Sequence, residues 1–143
     1  MKEVHIVYSR PVFDEMPKVS RSQDADTIIR ECIDTKRIDH KEFFWILLLN
    51  RANKVLAFAE ISKGDSVSAS VSIKEIMQLV LLSNSVAIIL IHNHPSGQLK
   101  PSQSDINFTK KIQEMALIFN VNVFDHLIIT SESYYSFADN NAM

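Results

Sequence analysis

Two histidines separated by one residue, His92 and His94, stand where a long apolar run stops. Pro95, Gly97 and Pro101 follow, and then Ser102 and Asp105, so the stretch reads H-x-H-P-x6-S-x2-D. Side chains two apart on a strand share a face. His92 and His94 therefore point the same way, and Asn93 points the other. Two imidazoles held like this reach one small ion at the ~2.0–2.1 Å of a zinc–nitrogen bond. The prolines and the glycine make a short, stiff loop. It leads to a helix start at Ser102, whose first turn brings Asp105 back as a carboxylate ligand. Two nitrogens and one oxygen leave a fourth position open, the layout of a catalytic zinc site. Ser102-Gln103-Ser104-Asp105 is also a capping box, which needs no metal. Both readings stand at this point.

Metal-assisted hydrolysis needs a base. In "VLAFAEIS", Leu56, Phe58 and Glu60 share one strand face. A carboxylate following two apolar residues on that face either leads to a site or emerges into solvent at an edge. Beside a metal, Glu60 would take the proton of a water whose pKa the zinc lowers to about 7.

Elements that position these residues follow from the hydrophobic periodicity. Residues 1 to about 20 read as an N-terminal strand and a loose extension containing two prolines. Ala25, Ile28, Ile29, Cys32 and Ile33 then form a helical stripe, with Ser22 as its N-cap and Cys32 as a core residue. "EFFWILLL" and "KVLAFAEIS", separated by "NRAN", predict an antiparallel hairpin. Ser72 and Glu75 mark a capping box ahead of a helix with Ile73, Ile76, Met77, Val80 and Leu81 on one face. "SVAIILI" is continuous and β-branched, as a strand covered on both sides should be. A helix over 103–119 carries Phe108, Ile112, Met115, Ala116 and Phe119 on one side, and Asn120 ends it. "VNVFDHLIIT" and "YYSFA" close the chain as strands. Hairpins mixed with helical crossovers predict an α/β fold, a mixed sheet with helices on both faces. Sites in such sheets gather at the carboxyl ends of strands, which is where "HNHPSG" falls.

Composition bounds the partners. The 143 residues carry a net charge of -2, with 46% hydrophobic and 22% charged residues, which suits one folded domain. The balance gives no general electrostatic grip on nucleic acid. The single cysteine excludes an internal disulfide and any cysteine-cluster metal site. The longest apolar runs, "FFWILLL" and "VAIILI", fall far short of the ~20 residues that span a bilayer. The N-terminus lacks a signal-peptide pattern, so the expected location is the cytoplasm, without membrane contact. Two glycines cannot build a phosphate loop, and neither H-E-x-x-H nor P-C-x-x-C is present.

The upstream glutamate with H-x-H-P-x6-S-x2-D resembles the signature of the JAMM (JAB/MPN) metalloproteases. More narrowly, "HNHPSG", "PSQSD", "DHLIIT", "VSIKEIM" and the hairpin leading through Glu60 to "ISKG" resemble the bacterial RadC-like family, over roughly residues 40 to 138. The resemblance implies a three-layer α/β/α sandwich similar to the cytidine deaminases. It implies zinc on His92, His94 and Asp105, Glu60 as general base, and Ser102 as stabiliser of the developing oxyanion. It implies hydrolysis of a peptide or isopeptide amide, with a protein or peptide as substrate. Asp125 and His126 share the family echo, and a structural or supporting role is expected for them. Many RadC-like proteins carry a DNA-associated helix-hairpin-helix region, of which residues 1 to 40 show no sign. The alternative is a DNA repair or recombination accessory, or a metal-dependent nuclease. Lys100, Lys110 and Lys111 hint at it, while Asp105 and the overall charge oppose it. A metal-binding module without catalysis is a third reading, which would have no need of Glu60.

Overall fold

The computed structural model describes residues 15–63 and 70–143, together with positions 3, 5, 7, 9 and 12. The expected N-terminal strand lies mostly outside the described residues. The ordered elements are α1 (Ser22–Cys32), a short 3-10 turn (Thr35–Arg37), β1 (Phe44–Leu49), β2 (Val55–Glu60), α2 (Ile73–Leu82), β3 (Ala87–Asn93), α3 (Gln103–Ile118), β4 (Asn122–Ile129) and β5 (Tyr134–Ser136). The strands form one sheet in the order β2-β1-β3-β4-β5. Only β3 and β4 run parallel, and α3 connects them. The other pairings are antiparallel, including the predicted β1–β2 hairpin.

β1 and β3 are apolar without alternation because both of their faces are covered. Trp45, Leu47, Leu49, Ile89 and Ile91 pack on one side with Ala25, Ile28 and Ile29 of α1. Phe44, Ile46, Leu48, Ile88 and Leu90 pack on the other with Ile76, Met77 and Val80 of α2 and Ile112 and Ala116 of α3. The result is a three-layer α/β/α sandwich with a mixed sheet, as expected. Each buried Leu or Ile contributes about 1.5–3 kcal/mol, so the two central strands dominate the stability.

Two details of α1 differ from expectation. Its N-cap is Arg21, one residue before Ser22. The Asp24 carboxylate reaches back to accept from the N-cap N–H of Arg21 at 3.1 Å and from the preceding Ser20 N–H at 2.8 Å. Ser22 instead turns its hydroxyl to Tyr134 and Asp139 across the fold. Cys32 is exposed, not core. It is the last residue of the helix, where the chain swings off the sheet, and burial stops at Ile29 on that stripe. At α2, Ser72 caps as expected, accepting from Glu75 N–H at 3.2 Å. Asn120 ends α3 with a φ of 56°, the left-handed conformation asparagine tolerates.

Candidate metal centre

His92 lies near the carboxyl end of β3, and His94 just past it. His94 N–H still bonds Ile129 O at 3.1 Å, so the strand conformation carries through the pair and both rings face one side. The chain then turns: Gly97 N–H bonds His94 O at 3.0 Å across Pro95 and Ser96. Gly97 takes a φ of +78°, where a side chain would be strained. This turn lays the Gln98 carbonyl against His94 Nδ1 at 2.7 Å.

The helix that follows opens with the predicted capping box. Ser102 Oγ accepts from Asp105 N–H at 3.0 Å, and Asp105 Oδ2 accepts from Ser102 N–H at 2.7 Å. The Ser102 hydroxyl also donates to Asp105 Oδ2 at 2.7 Å. Capping and ligand placement are therefore one device. The cap fixes the carboxylate, and its other oxygen, Oδ1, lies 3.3 Å from His92 Nε2. His94 Nε2 lies 3.6 Å from Oδ2 and 3.0 Å from His92 Nε2.

The hydrogen bonds behind these atoms set the tautomers. A carbonyl only accepts, so Gln98 O requires the proton of His94 on Nδ1. Thr109 Oγ1 donates to Asp105 O at 2.7 Å and must therefore accept from His126 Nδ1–H at 2.6 Å. Neutral His126 then offers Nε2 as an acceptor, and His92 Nδ1–H donates to it at 2.8 Å. Burial, reinforced by the neighbouring charge of His92, pushes the His126 pKa well below its usual value and keeps it neutral. In the neutral rings both Nε2 atoms are thus bare lone pairs. They face each other and a carboxylate, a set of acceptors with no donor among them. Tetrahedral ligands at zinc–nitrogen length stand about 3.3 Å apart, close to the separations here. His92, His94 and Asp105 form the one His/Cys/Asp/Glu group among the described residues whose ligand atoms converge in this way. The donor set fits a divalent cation. Burial works to raise the Asp105 carboxyl, but the Ser102 hydroxyl and N–H, and the hydrogen bond and charge of His92 when that ring takes a second proton, outweigh it and hold the group below the usual carboxylate range.

Glu60 is not brought to this group, which corrects the sequence reading. β1 pairs Phe44 with His92 and Trp45 with Glu60. Consecutive residues of β1 face opposite sides of the sheet, so Glu60 and His92 do as well. The Glu60 carboxylate accepts from Trp45 Nε1 at 3.3 Å and takes both Arg37 guanidinium nitrogens at 3.1 and 3.2 Å. The glutamate on the correct side is Glu42, just ahead of β1. With Phe44, Lys63, His92, Asp105, Phe108 and His126 it lines a cavity of about 120 Å³. Lys63 Nζ sits 3.5 Å from its Oε1. Sequence reasoning passed over Glu42, although "EFF" puts it two residues before Phe44 on the alternation that faces the histidines.

The remaining residues singled out in the sequence divide in two. His126 touches His92 directly, as above. Asp125 points to the α1 side and is structural. Its carboxylate accepts from His126 N–H, Ala138 N–H and Ser136 Oγ, at 2.7, 3.0 and 2.6 Å. Burial outweighs those bonds and raises its pKa. Thr109, which completes the relay behind His92, was not anticipated. Its signal is its position four residues after Asp105 on α3.

Residues 19–142 match the family model described as RadC-like JAB domain. A UPF0758 protein of Flavobacterium johnsoniae is 43% identical over 125 residues, covering 87% of this chain and 53% of that protein. One from Porphyromonas gingivalis is 38% identical over 126 residues, covering 87% and 56%. A third, from Coprothermobacter proteolyticus, is 42% identical over 98 residues, covering 68% and 42%. The chain thus spans about half the length of the curated relatives it matches. No helix among the described residues is long and apolar enough to cross a membrane.

Proposed function

Since the chain belongs to the RadC-like JAB domain family, we propose that it is a zinc-dependent hydrolase that cleaves a peptide or isopeptide amide. The observation that carries the proposal is the convergence of two bare imidazole nitrogens and one carboxylate beside a glutamate-lined cavity. Zinc is favoured by two nitrogens and one oxygen in near-tetrahedral spacing. Bound there, zinc would act as a Lewis acid and make water acidic enough to attack at neutral pH.

The chain's own residues do the rest. Glu42 takes a proton from the attacking water and delivers it to the leaving amine. Phe44 and Phe108 give the cavity apolar walls that limit solvent around the transfer. Ser102 stabilises the developing oxyanion by turning its O–H away from Asp105 Oδ2, while its oxygen goes on accepting from Asp105 N–H. A preorganised donor of this kind is worth about 3 kcal/mol. His126 and Thr109 keep the His92 proton on Nδ1 throughout. The test is cleavage of a peptide library by zinc-loaded wild type, Glu42→Gln and Glu60→Gln. Cleavage lost in the first variant and kept in the second supports the assignment. Equal activity in wild type and Glu42→Gln overturns it.

A further inference from the structure

The residue between the two histidines has a separate task. Asn93 has no exposed surface and points away from the metal group, toward the α1 side of the sheet. Its side chain makes three hydrogen bonds, all to one segment. Oδ1 accepts from Phe43 N–H at 2.6 Å. Nδ2 donates to Ile38 O at 2.6 Å and to Lys41 O at 2.8 Å. These bonds bracket Glu42. Among the described residues the segment from 38 to 43 has no strand partner of its own, because the β1–β3 ladder ends at Phe44–His92. Asn93 supplies the next rung with a side chain.

From these contacts we infer that Asn93 is a positioning residue for Glu42. It ties the segment carrying Glu42 to the same strand end that carries His92 and His94, and so sets the distance between base and metal. This rests on the reading of Glu42 given above. Alternation makes the arrangement compact: residues 92 and 94 face the site, and residue 93 grips what must stand opposite. Asparagine suits the place because it offers an acceptor and two donors on one short side chain. Aspartate has the same shape but would set a carboxylate against two carbonyl oxygens. A second fastening lies on the same face, where the Arg37 guanidinium sits 4.1 Å from the Phe43 ring centroid and is held by Glu60. The glutamate that the sequence suggested as base is thus part of the scaffold behind the actual candidate.

The test uses the full chain loaded with Co2+, whose visible absorption responds to the geometry and hydrogen bonding around the ion. Wild type, Glu42→Gln, Asn93→Asp, Asn93→Ala and each Asn93 variant combined with Glu42→Gln are compared at one pH. Leu47→Ala serves as a control for a core defect far from the site. We expect about one cobalt per chain in all of them, and a band shift in Glu42→Gln. Each Asn93 variant should shift the band in the same direction, with no further shift in the double variants. Leu47→Ala should lower stability and leave the band in place. A band that moves with Glu42→Gln but with neither Asn93 variant overturns the clamp alone. A band indifferent to Glu42→Gln removes the reading of Glu42, and the clamp's purpose with it. Asn93 variants that lose the fold altogether would mark the side chain as structural only, and also overturn the proposal.

Discussion

Thr109→Val removes one oxygen 2.6 Å from His126 and should be felt at the metal. The wild-type hydroxyl accepts from His126 Nδ1–H and donates to Asp105 O. Valine keeps the shape and leaves a buried N–H without an acceptor, which costs about 1–3 kcal/mol of stability. His126 can escape by moving its proton to Nε2. That N–H then points at His92 Nδ1, which must become an acceptor, and the proton of neutral His92 goes to Nε2. This is the atom that faces His94 and Asp105 at 3.0 and 3.3 Å. Either route penalises the zinc-binding tautomer. Losses of this type lower metal affinity about 10–100-fold, or roughly 1.4–2.7 kcal/mol. Thr109→Ser keeps the hydroxyl and should stay close to wild type. The assay is zinc competition against a chromophoric chelator at fixed pH, with thermal melts of the metal-free proteins. Zinc affinity in Thr109→Val indistinguishable from wild type would refute the relay. So would a loss in Thr109→Ser as large as in Thr109→Val.

Three further outcomes are expected. Glu42→Gln should keep its zinc and lose about 10²–10⁴-fold in cleavage of any peptide that wild type cleaves, the usual weight of a general base; metal analysis beside a rate measurement checks both. Buried His126 stays neutral when folded but takes a proton near its ordinary value of 6.5 when unfolded, so unfolding gains protons as pH falls. The metal-free protein should therefore lose stability from about pH 7 to pH 5, and His126→Gln should flatten that slope in denaturant titrations. Asp125, raised by burial, works in the opposite sense above its ordinary value of 3.8, so the His126 contribution is read as the difference in slope between wild type and His126→Gln. Leu90→Ala, at a fully buried position of β3, should cost about 2–5 kcal/mol, read as a drop in denaturation midpoint with unchanged zinc stoichiometry at low temperature.

What the sequence reveals and what it hides follow from distance along the chain. His92, His94 and Asp105 lie within one strand, one stiff loop and one helix turn, so local geometry is enough to bring them together. The same holds for β1 and β3, whose unbroken apolar runs announce strands buried on both faces. Glu42 and Glu60 differ by strand order, which local pattern does not encode. Both belong to the hairpin, but β1 is the strand beside β3 and β2 is the edge strand. The face of Glu60 then follows from its pairing with Trp45. The relay from His92 through His126 to Thr109 joins three elements and has no local signature. Ser22 and Cys32 show a smaller version of the same limit. Helical periodicity marks the stripe, while the exact cap and the last buried turn depend on where the chain leaves the sheet.

Convergence of His92, His94 and Asp105 on one divalent cation underlies every reading of this site. Metal analysis of the purified chain, beside His94→Ala and Asp105→Ala, tests it most directly. The expected result is about one zinc per wild-type chain and loss of bound zinc in both variants, with the fold retained. Wild-type protein that takes up no zinc when offered it, or variants that hold as much as wild type, would contradict it.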